Sequence, residues 1–119
     1  TRDHVHQGIL ERFEHLLNDY FRTDKPQTTG LPSVAWCASE LSLSSNYFGD
    51  LIKKETGQSA QEYIQSKVID LAKEKIFDPG KTVNEIAYEL GFKYPQHFSR
   101  FFKERVGQSP NEYRTLHDN

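Results

Sequence analysis

Apolar side chains recur every three or four residues along most of this chain, which is the spacing of one face of an α-helix. A first stripe covers residues 5–21, and a second long stripe runs from Ser59 to about Phe77. Shorter stripes cover residues 31–41, 45–57, 82–90, 95–107 and 109–113. No segment alternates apolar and polar residues as a half-buried strand does. The pattern therefore predicts an all-α fold of about seven helices.

The breaks between the stripes carry residues that begin and end helices. Ser44, Ser59 and Thr82 each stand where a stripe begins, and there a side-chain oxygen can accept a hydrogen bond from a first-turn amide. Gly107 follows a stripe and favours a helix end, because glycine adopts the left-handed conformation at little cost. Residues 23–30 are polar and contain threonine, proline and glycine, so they predict a loop.

The chain also contains an internal repeat. A shift of 49 residues pairs Val34, Ala38, Glu40, Leu41 and Leu43 with Val83, Ala87, Glu89, Leu90 and Phe92. A shift of 50 residues pairs Phe48, Lys53, Gly57, Gln58, Ser59, Glu62 and Tyr63 with Phe98, Lys103, Gly107, Gln108, Ser109, Glu112 and Tyr113. Each copy is a short helix, a tight turn and a longer helix. This is the helix-turn-helix arrangement, whose second helix can lie in the DNA major groove.

The repeat divides the chain into four segments. Residues 1–30 hold an amphipathic helix and a loop, and residues 31–58 form the first helix-turn-helix. Residues 59–80 form a linker helix, and residues 81–119 hold the second helix-turn-helix and a C-terminal helix. Within that segment, the helix predicted over residues 60–77 spans roughly 27 Å at about 1.5 Å per residue. Successive major grooves lie roughly 34 Å apart on one side of the duplex. We therefore expect two recognition helices in adjacent grooves.

The recognition helix of the second repeat has an apolar and a polar face. Its buried face is predicted to consist of Phe98, Phe101 and Phe102. Gln96, Ser99 and Arg100 are three and four residues apart, so they share the outward face. Arginine can bond bidentately to guanine, and glutamine to adenine. These three residues are therefore candidates for reading bases.

The recognition helix of the first repeat presents a weaker set. Asn46, Gly49 and Asp50 occupy the corresponding base-reading positions. Asn46 can read a base, whereas Gly49 offers no side chain. Asp50 repels phosphate and can only accept hydrogen bonds, for example from cytosine. We therefore expect the two units to contribute unequally to sequence reading.

Candidate phosphate contacts flank both outward faces. Lys103 lies beyond the second reading face, and Lys53 and Lys54 follow the first; each is either a phosphate contact or an exposed lysine. The start of the last helix is a natural anion site, because the amides of a helix N-terminus point outward. Those amides belong to Ser109, Asn111 and Glu112.

Composition limits the class of protein. The formal net charge is −2, which is unusual for a nucleic-acid binder. Basic residues nevertheless gather in residues 91–114, which contain only two acidic residues, Glu104 and Glu112. The five basic residues of this stretch are Lys93, Arg100, Lys103, Arg105 and Arg114. No run of 18 apolar residues predicts a membrane span. The chain also lacks methionine, which favours a piece of a longer protein.

Metal and catalytic chemistry find little support. The single Cys37 excludes a disulfide framework within the chain and a cysteine-built zinc site, and it fits a reducing cytoplasm. When the two repeats are aligned, Cys37 falls near Ile86, on the buried face of its helix. This position predicts a small core residue instead of a reactive thiol. His4 and His6 point in different directions on a helix, so no metal site is predicted. No nucleophile, base and orienting residue share a suitable spacing, so we expect neither an enzyme nor a cofactor.

Residues 31–114 resemble the C-terminal DNA-binding domain of the AraC/XylS family of bacterial transcription regulators. The resemblance is carried by residues 85–92 (EIAYELGF), 95–103 (PQHFSRFFK), 107–114 (GQSPNEYR), 43–48 (LSSNYF) and 55–59 (ETGQS). It implies two helix-turn-helix units joined by a linker helix, and promoter binding. The same six positions are implied to read bases. It also implies a separate N-terminal sensory or dimerisation domain, with RNA polymerase as a further candidate partner.

Two functions follow as hypotheses. The first is a sequence-specific, double-stranded DNA-binding domain of a bacterial regulator that acts in the cytoplasm. The alternative is a helical protein-interaction module in which DNA binding is weak or lost, and the negative net charge and Asp50 favour it. A steep fall of DNA affinity with salt would distinguish the two, since phosphate contacts release counterions.

Overall fold

Eight helices follow one another in the computed structural model, which describes the backbone of residues 2–117 and the side chains of residues 8–117. They are α1 (Arg2–Arg22), α2 (Lys25–Thr29), α3 (Val34–Glu40), α4 (Ser45–Thr56), α5 (Ala60–Ile76), α6 (Val83–Leu90), α7 (Pro95–Val106) and α8 (Pro110–His117). Residues 2–117 contain no strand, so the all-α prediction is confirmed.

Residues 2–117 hold one helix more than the roughly seven predicted, because the segment predicted as a loop contains α2. Pro26 suits a first helical turn, where its missing N–H is not needed. The hydroxyl of Thr29 donates to the carbonyl of Lys25 at 2.8 Å and supports the single turn. A five-residue helix is too short to show an apolar stripe. The neighbouring stripe over 31–41 becomes helical only at Val34, which leaves Leu31 39% exposed.

The first compact unit comprises α1, residues 32–59 and the start of α5. Its core is built around Phe13 of α1 and Phe48 of α4, whose buried rings meet edge-on with centroids 4.8 Å apart. Tyr63 of α5 packs on Phe13 at 5.1 Å and donates a hydrogen bond to Glu14 at 2.6 Å. Burial, and then the Glu14 carboxylate, raise the pKa of Tyr63. The N-terminal helix is therefore an element of the first unit.

The second compact unit comprises residues 24–31 and the chain from Val68 onward. Phe98 and Phe102 of α7 are fully buried, and Ile86 and Leu90 of α6 are buried with them. The ring of Tyr113 from α8 meets Phe102 edge-on at 5.5 Å. Because α5 passes from one unit into the other, the linker helix is part of both cores.

Both helix-turn-helix turns use the same hydrogen bond. The amide of Leu43 donates to the carbonyl of Ala38 at 2.9 Å, and the amide of Phe92 donates to Ala87 at 3.0 Å. Each turn needs a left-handed residue. Gly91 supplies it in the second unit with φ 105°, whereas Ser42 adopts φ 60° in the first. The one-residue difference between the repeats falls just after this shared turn.

Ser44, Thr82 and Gly107 stand at helix ends as predicted, whereas the last helix runs on from the predicted Tyr113 to His117. Ser44 accepts from the amide of Tyr47 at 3.2 Å, and Thr82 forms a reciprocal capping box with Glu85. Gly57 and Gly107 both adopt the left-handed conformation after α4 and α7. These local interactions position the two longer helices of the repeats independently of what lies on their outward faces.

Arg114 holds the second unit together in a way that the sequence did not indicate. Its Nε donates to the carbonyl of Ile76 at 2.7 Å, and its Nη2 donates to the carbonyl of Lys81 at 2.8 Å. It thereby links α8 to the end of α5 and to the approach to α6. Arg114, which is one of the basic residues near the C-terminus, therefore has a structural role within the second unit.

We expect Arg114→Ala to lower the free energy of unfolding by about 1.5–3 kcal/mol, because two charge-assisted hydrogen bonds are lost. Arg100→Ala is the matched control, since Arg100 is exposed and its loss should change stability by less than about 0.5 kcal/mol. Thermal and denaturant unfolding followed by circular dichroism measure both. Equal effects of the two substitutions would contradict this role.

Candidate nucleic-acid interface

The outward face of α7 carries the strongest candidates. Gln96 and Arg100 are exposed and Ser99 is half-buried, which agrees with a shared face at this spacing. Phe98 and Phe102 fix the opposite face in the core. The orientation of the outward face of α7 therefore follows from the burial of two aromatic rings.

Phe101 corrects the predicted core of α7, because it is only half-buried. One side of its ring packs on Phe92 with centroids 5.6 Å apart, and the guanidinium of Arg105 lies 5.3 Å from its centre. An eight-residue α6 cannot cover a third phenylalanine on the wide apolar face of α7. Arg105 covers part of the ring that α6 leaves open.

A cluster in front of α7 was not singled out by the sequence. The ammonium of Lys93 lies 5.6 Å from the ring of Tyr94, and the ring of His97 meets Tyr94 at 5.2 Å. All three side chains are exposed. The cluster adds a cation and two aromatic rings to the exposed surface at the start of α7. The sequence signal that could have indicated this cluster is the pair Lys93 and Tyr94 immediately before Pro95.

The outward face of α4 differs in chemistry. Asn46 and Asp50 are exposed, and a side chain added at Gly49 would meet nothing within 4 Å. The ammonium of Lys53 donates to the carbonyl of Gly57 at 3.0 Å, at the helix C-terminus. Lys54 is exposed. This face therefore presents an amide, an open space and a carboxylate.

The start of α8 differs from the prediction of three outward amides. The amide of Ser109 donates to Glu112 Oε1 at 2.9 Å, and the amide of Glu112 donates to Ser109 Oγ at 3.1 Å. The hydrogen bond from the Ser109 amide, and then one from the Ser109 side chain, lower the pKa of the Glu112 carboxyl group. The amide of Asn111 takes no part in this capping box, so its phosphate contact stays a prediction.

Cys37 and Trp36 belong to the packing of the first unit. Cys37 is buried, which raises the pKa of its thiol to about 12, so it behaves as a core residue. Trp36 is half-buried and packs on Tyr20 at 5.0 Å. The side chains of His4 and His6 lie outside the described residues. Over the described part of the chain, no three ligating side chains gather as a metal site would need, and no helix is long and apolar enough to cross a membrane.

Comparison with known proteins agrees with this geometry. The helix-turn-helix domain family matches residues 37–115. The uncharacterized transcriptional regulatory protein YesN of Bacillus subtilis is 35% identical over 85 residues, which cover 69% of this chain and 23% of that protein. The chain spans 14%, 23% and 25% of the lengths of three curated relatives that it matches.

Two solved structures share the fold. The C-terminal domain of AraT, a response regulator from Geobacillus stearothermophilus, superposes with a TM-score of 0.78 at 26% identity, covering 91% of this chain and 84% of that one. The DNA-binding domain of AdpA, solved in complex with a target DNA, gives a TM-score of 0.75 at 19% identity, covering 91% and 90%. The repeat, the shared turn and the family match converge: this chain belongs to the AraC-type helix-turn-helix domain family of transcription regulators.

Proposed function

We propose that this chain binds double-stranded DNA in a sequence-specific manner as the DNA-binding part of a bacterial transcription regulator. The observation that carries the proposal is the pair of equivalent helix-turn-helix turns, each followed by a helix with a buried aromatic anchor and an exposed polar face. In this proposal α4 and α7 enter adjacent major grooves of one duplex.

The two helices divide the task unequally. Gln96, Ser99 and Arg100 read bases from α7, where Arg100 pairs with guanine and Gln96 with adenine. Asn46 reads a base from α4, whereas Gly49 and Asp50 restrict the contribution of that helix. The proposed phosphate contacts are Lys53, Lys54, Lys103, Asn111 and, where its capping box opens, Ser109.

The proposal extends to the whole protein. The chain spans a quarter or less of three curated relatives, which leaves room for a sensory or dimerisation domain N-terminal to it. RNA polymerase is the partner expected of a regulator bound beside a promoter. Such a protein acts on DNA in the cytoplasm and needs no catalytic residue or cofactor in this domain.

Selection from a random DNA pool, followed by a salt titration on the selected site, tests the central proposal. Three or more phosphate contacts predict that log K falls with log salt at a slope of about −3 or steeper. A monomer should protect two successive major grooves on one side of the duplex. A flat salt dependence would favour the protein-interaction alternative, and protection of a single groove would overturn the two-helix arrangement.

Arg100 and Lys103 should differ in their effects. Arg100→Ala should weaken binding to the selected site by about 1–3 kcal/mol and relax the preference at one base pair, because a bidentate contact is lost. Lys103→Ala should weaken binding to all sequences and make the salt slope shallower by about one unit. Affinities on selected and scrambled DNA measure both. Equal losses for Arg100→Ala on the two DNAs would make Arg100 a phosphate contact.

Asp50 should limit binding by the first unit. Asp50→Asn removes an exposed charge that repels the phosphates, so we expect roughly two- to fivefold tighter binding at moderate salt. Glu40→Gln, which neutralises an exposed carboxylate outside the reading face, serves as the control. Weaker binding by Asp50→Asn, with altered preference at one base pair, would instead identify Asp50 as an acceptor from cytosine.

A further inference from the structure

The segment Asp24–Leu31, which we call the strap, links α1 to α3 in sequence yet packs in the second unit. Its helix α2 lies against α6, and the ring of Pro26 is fully buried. The second helix-turn-helix is therefore completed by a segment that comes from more than fifty residues earlier in the chain.

The strap also contacts the turn of the second helix-turn-helix. A Cβ placed on Gly91 would lie 2.9 Å from the carbonyl carbon of Gly30 and 2.9 Å from the amide nitrogen of Leu31. Both are backbone atoms, so no side-chain rotation relieves the contact. At the equivalent position of the first unit, Ser42 carries a side chain and is exposed. The turn thus forms in the first unit with its left-handed residue uncovered.

From this packing we propose that the strap is a positioning element of DNA recognition: it holds the turn between α6 and α7 and thereby sets the orientation of the reading helix. The positioning residues are Pro26, Gly30 and Gly91. This inference rests on the proposed DNA-reading role of α7. It adds that a segment distant in sequence controls the accuracy of that reading.

The strap contacts the rest of the second unit mainly at two places. Pro26 fills the core on one side, and the backbone of residues 30–31 lies on Gly91 on the other. Between Thr28 on the strap and Tyr88 on α6 lies an open cleft of about 600 Å³. The amide of Phe92, which closes the turn by donating to Ala87, follows Gly91 directly. Loosening the strap should therefore open that hydrogen bond first.

Amide hydrogen exchange tests the proposal without DNA. In Pro26→Ala, the Phe92 amide should exchange about tenfold faster, while its counterpart Leu43 in the first unit changes less than about twofold. Pro79→Ala is the matched control, because Pro79 is an exposed proline of the same unit. A merely structural loss of stability would speed the core amide of Phe102 as much as that of Phe92. Equal acceleration of these two amides, or none, overturns the proposal.

A glycine pair tests the link to DNA reading, and it serves also if Pro26→Ala fails to fold. Gly91→Ala and Gly107→Ala both place a methyl group at a left-handed residue, with φ 105° and 90°. Only the first meets another segment, since the space around Gly107 is open to 4 Å. The preference for the selected site over scrambled DNA should fall about tenfold for Gly91→Ala and less than about threefold for Gly107→Ala.

The outcomes are separable. Equal losses of preference for the two alanine variants overturn the positioning role of the strap, because backbone strain alone would then explain them. A wild-type chain that prefers no DNA sequence overturns the proposed function. In that case the exchange rates of Phe92 and Phe102 still decide whether the strap holds the turn.

Discussion

The burial of one aromatic ring near the start of each longer helix is the interaction on which the rest of the domain depends. Phe48 in α4 and Phe98 in α7 are both fully buried and occupy equivalent places in the repeat. An amphipathic helix fixed by one face presents its opposite face at a set rotation. The exposure of Asn46 and Asp50, and of Gln96 and Arg100, follows from these anchors.

The repeat separates what the scaffold requires from what the surface can vary. Both units keep the same turn hydrogen bond, left-handed helix ends and a serine–glutamate capping box after the longer helix. Their outward faces have diverged, since α7 carries Arg100 where α4 carries Asp50. Outward residues touch no core, so they can change without a loss of stability. Divergence of this kind is expected if one helix reads bases and the other mainly holds the duplex.

Several charged side chains of this domain take part in its own structure. Arg114 binds two carbonyls, Glu112 caps α8, and Lys81 donates to Glu89 at 2.7 Å. Arg105 stacks on Phe101. A count of bases near the C-terminus therefore overstates the charge that is available to a nucleic acid. The exposed cations on and just before α7 are a smaller set, with Lys93, Arg100 and Lys103 as its members.

The sequence by itself determined the helices that carry an apolar stripe, most of their ends and the repeat, because periodicity, capping residues and left-handed glycines act within a few residues. It also placed Gln96 and Arg100 on one face, since helical spacing is local. Tertiary structure alone decided the rest. The packing of the strap on Gly91 and the tie of Arg114 to Ile76 and Lys81 both depend on which distant segment covers a surface. Such contacts join residues with no regular spacing along the chain, so no sequence pattern predicts them.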